Sequence, residues 1–562
     1  MSDPRRIDSG LSRRTFVRLT GASALGAGLL GTAGCAGEET IGGGHGGDVL
    51  TLGRAGPTVT LDPVHSSERE SGKVCMQIFD TLIGFAPGTT ELVGALAVEV
   101  PRPERSGKQY TFRLRRGVMF HDGTPFDAGA VVFNFDRWKN SKSPYHKGGG
   151  QQSSQFSLYQ AKFGGFDDKS IIDRVEAVDP HTVRFHLKRV SVDFLKNVAI
   201  YPFSISSPTA LKNDVENFWQ KPVGTGPFKF VSWTRGSAIT LAPNTDWWGT
   251  DVPVAEGGGG PWVEQLVFQD IPDETSRVAA LFGGDISGAD GLNPDDVPAL
   301  RKMRRVDPVL GPPLNIGYLA MNCQKKPFTD VRVRRAVAHA INMPEIVKTF
   351  FGPTAKLASN PMPPTVPYFA RDVEPYAHDP DRARSLLRAA GLDQGFEVDL
   401  WYMPVPRPYM PNGKYVAQAM QQDLARVGIK VNLVTREWAS YVAAVTSGKH
   451  DMCQMGWNGD TGDPGEFMNI QLNSAHATKT NAQNFAYYKN PEMDRLLDQA
   501  LSTVDRDTQR SLYRRAQMIF HRDVPWAPIA YAGSVFGMRE NVEGFAPSPI
   551  GDRYNNVKLA AG

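Results

Sequence analysis

Cysteine is scarce in this chain, with four in 562 residues. Setting Cys35 aside, Cys75, Cys323 and Cys453 form an odd remainder without close spacing, which excludes a disulfide framework and leaves them as small buried hydrophobes. Charge of one sign is also lacking. The 62 basic and 59 acidic residues leave a net charge of +3, so no nucleic-acid partner is expected. Enzyme signatures are missing as well: no Gly-x-Ser-x-Gly elbow, no His-Glu-x-x-His helix, no phosphate loop and no paired-cysteine metal spacing. Eleven scattered histidines make no triad, and His121-Asp122 before Gly123 reads as a turn sooner than as half a catalytic pair. Neither a cofactor nor a metal site is expected. There is no repeat of fixed period. Hydrophobic content of 41% and a mean hydropathy of −0.32 describe an ordinary soluble globule.

An uncharged run rich in Gly and Ala lies at the amino end, from Leu19 to Gly34, and it falls short of the roughly 20 residues that span a bilayer. Before it stands Ser12-Arg13-Arg14-Thr15-Phe16-Val17-Arg18, which fits the twin-arginine export pattern through Arg13 and Arg14. Residues 1–34 therefore read as a twin-arginine signal peptide. Ala33 and Gly34 precede Cys35 as a lipidation signal requires, although Thr32 stands where leucine is usual. Residues 35–47 are expected to be a lipidated cysteine and a flexible Gly-rich tether, holding the protein on the outer face of a membrane. His45 in that tether has no partner ligands nearby in sequence.

Strand-like and helix-like segments alternate from Asp48 onward. Tyr110, Phe112 and Leu114 share one face of an alternating run, as do Val183, Phe185 and Leu187. Asp330 caps an expected helix with an apolar stripe of Val333, Ala336, Val337, Ala340 and Ile341. A second helix starts at Asp379-Pro380 and stops at Gly391, and a third runs from Gly413 to Val427 into the alternating Ile429, Val431 and Leu433. Helix–turn–strand units of this kind predict α/β lobes.

Two loops carry the chemistry. Arg407 sits among Pro404, Pro406, Pro408 and Pro411, whose fixed φ holds an extended backbone, and its planar guanidinium suits a carboxylate. Asp460 lies in Gly456-Trp457-Asn458-Gly459-Asp460, followed by Thr461-Gly462-Asp463-Pro464. On residues alone, the first reads sooner as an exposed proline-rich linker with an incidental arginine, and the second is open to reading as an Asx-type turn. Asp460, Asp463 and Glu466 lack the alternate-residue pattern of a calcium loop.

Both loops resemble the ligand-binding loops of family 5 of the bacterial extracellular solute-binding proteins, above all its dipeptide-binding members. The likeness continues along the chain in order: Phe120–Phe126, Val223–Phe228, Trp247-Trp248-Gly249, and Pro327-Phe328 with Val331–Ala336. It implies a two-lobed α/β clamshell (type II, cluster C) with an extra domain and ligand in the inter-lobe cleft. The implied division is lobe I at 48–79, 201–310 and 532–562, extra domain II at 80–200, and lobe III at 311–531. Carried over, Arg407 meets a peptide's carboxylate and Asp460 its ammonium, with Trp457, Tyr409 and Ser67 lining the site; Trp457 serves equally as core packing. One departure stands out. Dipeptide-binding members have a Gly- and hydroxyl-rich stretch where this chain reads Ser66-Ser67-Glu68-Arg69-Glu70-Ser71, either a changed pocket or a solvated helix start. The implied partners are a short peptide and the permease and ATPase subunits of an ABC importer, served by a monomer outside the cytoplasm. Haem, glutathione or another small solute is the alternative ligand, and a secreted hydrolase the remaining one.

Overall fold

The computed structural model describes residues 48–150 and 156–560; the export signal with Arg13 and Arg14, the tether and Cys35 lie outside the described residues. Three sheets of four or more strands organise them. A seven-stranded mixed sheet runs Val306–Leu310, Val535–Arg539, Gly288–Ala289, Val49–Arg54, Gln265–Asp270, Ala238–Pro243, Phe228–Thr234. A six-stranded sheet runs Ala355–Leu357, Trp526–Ala532, Asn315–Met321, Met452–Asn458, Phe396–Trp401, Ile429–Val434. Between Arg54 and Phe228 the chain makes a four-stranded antiparallel sheet of Pro103–Glu104, Gln109–Arg113, Thr182–Leu187 and Ile172–Asp179.

The expected periodicities appear where they were read. Tyr110 faces Phe185 and Phe112 faces Val183 across the antiparallel pair, and all four are buried. The helix Val331–Ala340 is capped by Asp330, which accepts from the Arg332 N–H, and it buries Val333, Ala336, Val337 and Ala340. The helix Pro380–Ala389 is capped by Asp379 and ends before Gly391 at φ 75°. The helix Gly413–Ala425 turns at Gly428, φ 88°, into Ile429–Val434. His121-Asp122 is a turn: the Asp122 carboxylate accepts from the Thr124 N–H at 3.0 Å and the Ser207 hydroxyl at 2.6 Å. Cys75, Cys323 and Cys453 are free and buried, and burial pushes each thiol's pKa up.

Two strand pairs carry the chain between the large sheets. Val306–Leu310 pairs with Val535–Arg539 in the seven-stranded sheet, and a few residues on, Asn315–Met321 pairs with Trp526–Ala532 in the six-stranded one. The two crossings touch at Gly311 and Gly533, where a Cβ on Gly533 would stand 2.1 Å from the Gly311 carbonyl oxygen. Only glycine permits that approach. Each sheet keeps its own core: one spans Leu314 to Ala532, one Leu50 to Val557, and the antiparallel domain has a third between Val64 and Ile205.

Candidate functional site

The Arg407 loop is fixed by shape from below. Gly317 and Gly456 are paired in register on neighbouring strands, leaving a trough in the sheet without side chains. Tyr409 fills it: a Cβ on Gly456 would meet Tyr409 Cδ2 at 2.1 Å, and one on Gly317 would meet the Tyr409 carbonyl oxygen at 2.1 Å. Above it the chain folds back, with the Arg407 N–H donating to the Met410 carbonyl at 3.2 Å and the Met410 N–H donating back at 2.9 Å. The loop enters through the Met403 N–H, which donates to Gln454 Oε1 at 3.2 Å. Arg407 thus stays exposed while its backbone is pinned, and its guanidinium lies 4.9 Å over the Trp438 ring. Burial pushes the Tyr409 phenol up, and the Arg407 charge and hydrogen bond offset part of that.

The second loop leaves the strand Met452–Asn458 and ends in the helix Pro464–Leu472. Asp463 is the helix N-cap, its Oδ1 accepting from the Gly465 N–H at 2.7 Å. Glu466, at the third helical position, reaches back and accepts from the N–H groups of Asp460 and Thr461 at 3.1 and 3.0 Å. The Asp460 carboxylate is left pointing outward, its side chain 64% exposed. Trp457 is half-buried, and its indole N–H meets no acceptor among the described residues.

Two lysines of the antiparallel domain grip this loop from across the cleft, and neither was foreseen from sequence. Lys162, on the helix Ser157–Phe163, places Nζ 3.1 Å from Asp460 Oδ2 and 3.0 Å from Glu466 Oε1. Burial works against its charge, but Glu466 and Asp460 outweigh it and hold the pKa above the ordinary lysine value. Lys196, on the helix Phe194–Ala199, donates to the carbonyls of Thr461, Gly462 and Thr90 at 3.2, 3.0 and 2.9 Å. Gly462 has φ 64°, and a Cβ there would lie 2.5 Å from Thr90 Cγ2, so a side chain would break this contact. The Thr90 hydroxyl donates to the Thr365 carbonyl at 2.7 Å. Burial lowers Lys196 to about 8 and raises Asp463 to about 7, Asp193 adding to the latter. An acid beside a lysine usually moves the other way. Here burial dominates both, because Lys196 spends its donors on carbonyls and not on Asp463.

The charged stretch near the amino end is a helix start. Glu68 caps the helix Arg69–Ile78, accepting from the Ser71 N–H at 2.8 Å, and Glu70 pairs with Lys73 at 2.6 Å. Ser67 is exposed; its neighbour Ser66 meets the Tyr201 hydroxyl at 3.0 Å. Asp460 is close enough for its charge to act on Tyr201. Tyr201 also walls a cavity of about 850 Å³, counted out to open solvent, with Met76, Phe79, Phe85 and Ile550. It is mostly apolar at those walls, with Arg553 held to Asp80 at 3.0 Å on another side.

Residues 91–479 match the family model described as bacterial extracellular solute-binding proteins, family 5. The chain belongs to that family. This solute-binding protein is 34% identical to the dipeptide-binding protein of Escherichia coli K12 over 86% of its own length and 89% of the relative's. It is 32% identical to haem-binding protein A of Haemophilus influenzae, over 86% and 87% of the two chains. Among solved structures, a dipeptide-binding protein from Pseudoalteromonas in complex with Met-Leu superposes with a TM-score of 0.69 at 30% identity, covering 91% of this chain and all of that one. The type II periplasmic-binding-protein architecture expected from the sequence is the fold of these neighbours, and solute binding, not catalysis, is what the family does.

Proposed function

We propose that this protein captures short peptides outside the cytoplasmic membrane and delivers them to the permease of an ABC importer. The observation that carries the reading is that two backbone-locked loops rising from one sheet each expose a charge, one positive and one negative. Arg407 offers a guanidinium to a carboxylate, and Asp460 keeps one carboxylate oxygen clear of its lysine partner. A zwitterion matches that pair at its two ends. The unpartnered Trp457 N–H is a donor for a peptide carbonyl, since a buried donor without an acceptor is costly. The cavity beside Tyr201 gives apolar room for a side chain.

The same reading makes lobe I of 48–79, 201–310 and 532–562, domain II of 80–200 and lobe III of 311–531 the moving bodies, with Gly311 and Gly533 at the pivot. Ligand binds the open form and favours closure because only the closed form contacts it from both sides. The protein then docks its permease and the paired ATPases as a monomer, held at the membrane by lipidated Cys35 after twin-arginine export.

Haem is the second reading, favoured by the haem-binding relative and by the ability of Arg407 to hold a propionate. Native mass spectrometry of the purified protein, followed by calorimetry with di- and tripeptides and a haem titration, separates the two. Co-purified peptides and calorimetric saturation support the proposal. A Soret shift with no peptide heat overturns it, and release of free amino acids on incubation would mark a hydrolase.

A further inference from the structure

Lys162 stands where a solute-binding cleft has most to lose from a cation. It is on another domain, 298 residues before Asp460 in the chain, and its ammonium touches the acid proposed to receive the ligand's own ammonium. A lysine there weakens the site for any amine unless something compensates, and Glu466 does. The contact set is two carboxylates and one ammonium, so at neutral pH it carries a single surplus negative charge. Glu466 is spoken for: Oε1 faces Lys162, Oε2 accepts from two backbone N–H groups, and the side chain is 13% exposed. The surplus is therefore presented by Asp460 alone, through the oxygen that Lys162 leaves free.

We infer that Lys162 is a specificity-determining residue, which fixes the ammonium end of the cleft at a charge matching one cation and turns away ligands that bring a second cation beside it. This rests on the peptide reading. A peptide with a neutral first side chain brings the set to zero. One beginning with lysine or arginine leaves an unmatched positive charge within several ångströms of Lys162, in a setting where water is partly excluded. At an effective dielectric constant of about 20, that repulsion is worth roughly a tenfold to hundredfold loss of affinity. The next charges outward do not supply the missing acid. Asp463 lies beside Lys196 and is pushed up to about 7 by burial, Asp193 accepts from the Ser191 hydroxyl and the Asn197 amide, and Glu68 is engaged as the cap of its own helix.

A lysine that served only to latch the domains would weaken all ligands alike when removed. A lysine that sets charge would change their ranking. Calorimetry with Ala-Ala and Lys-Ala on the wild-type protein and on Lys162→Met and Lys162→Gln separates these. The wild type is expected to bind Ala-Ala about tenfold or more tighter than Lys-Ala, and both variants, whose contact set carries two surplus negative charges, to close or invert that gap. Lys162→Arg keeps the wild-type ranking. A ratio unmoved within about twofold in the Met and Gln variants, with their melting curves intact, overturns the inference. Variants that lose the fold are replaced by Glu466→Gln, which neutralises the set and should weaken Ala-Ala about tenfold; unchanged affinity there overturns it too. Failure of the wild type to bind either peptide defeats the peptide reading itself, whereas binding that Asp460→Asn weakens but Lys162 leaves unranked defeats this inference alone.

Discussion

The loop carrying Arg407 and the loop carrying Asp460 rise from the same six-stranded sheet, yet they are anchored from different sides. Tyr409 keys the first into a trough of two glycines in its own sheet. The second has an internal frame in Asp463 and Glu466, but Lys162 and Lys196 hold it from the antiparallel domain. The first is anchored within its own sheet; the second takes further partners from the antiparallel domain. Under the peptide proposal, a ligand would meet the carboxylate grip at Arg407 first and complete the ammonium grip as the lobes close, so that the differential affinity driving closure would sit at Asp460.

The sharpest way to break this comparison is to remove each charge. Arg407→Ala and Asp460→Ala should each cost about 2–5 kcal/mol of peptide affinity by calorimetry, because the ligand's opposite end is left unpaired in the closed cleft. Small-angle scattering should then show that Asp460→Ala impairs ligand-driven closure more than Arg407→Ala. Equal closure in both would dissolve the contrast.

The buried Asp463 gives the next effect. Its folded pKa of about 7 lies above its ordinary value of 3.8, so the native state binds the proton more tightly than the unfolded chain. The associated stability is complete below about pH 4 and is lost as pH rises through 7, an amount up to about 4 kcal/mol. Melting temperatures of the wild type should fall across that window relative to those of Asp463→Asn. Parallel curves would remove Asp463 as the cause.

Filling the trough tests the first loop. Gly456→Val drives a side chain into the Tyr409 ring and should cost about 1–3 kcal/mol of stability. Because the loop is displaced, it should also weaken peptide binding. Smallest is Glu68→Ala, which removes a helix cap worth about 0.5–1 kcal/mol and should leave affinity untouched. A change in peptide affinity there would return the charged Glu68–Glu70 segment to the pocket.

What the sequence made legible was local. Capping residues at Asp330 and Asp379, strand alternation around Phe112 and Phe185, and the proline-framed Arg407 all write their structure within a few neighbours. Lys162 and Lys196 had no such signature. Each is one lysine on a helix of six or seven residues, and its role comes from partners 265 to 304 positions away. Glu68, Arg69 and Glu70 read two ways because a helix start and a charged pocket rim use the same residues. Tyr409 was named as a site residue through family likeness, but the reason for it, a pair of glycines in register on strands separated by well over a hundred residues, appears only when those strands pair.

Free thiols give the molecule a practical property. Cys75, Cys323 and Cys453 are buried and hard to ionise, so among the described residues no sulfur competes for a thiol-reactive dye. Cysteines introduced at the exposed Val231 and Tyr415, one beside each large sheet, would be the two readily reactive thiols among the described residues. A donor and acceptor fluorophore at those two points would turn solute capture into a colour change, with the native fold as the transducer.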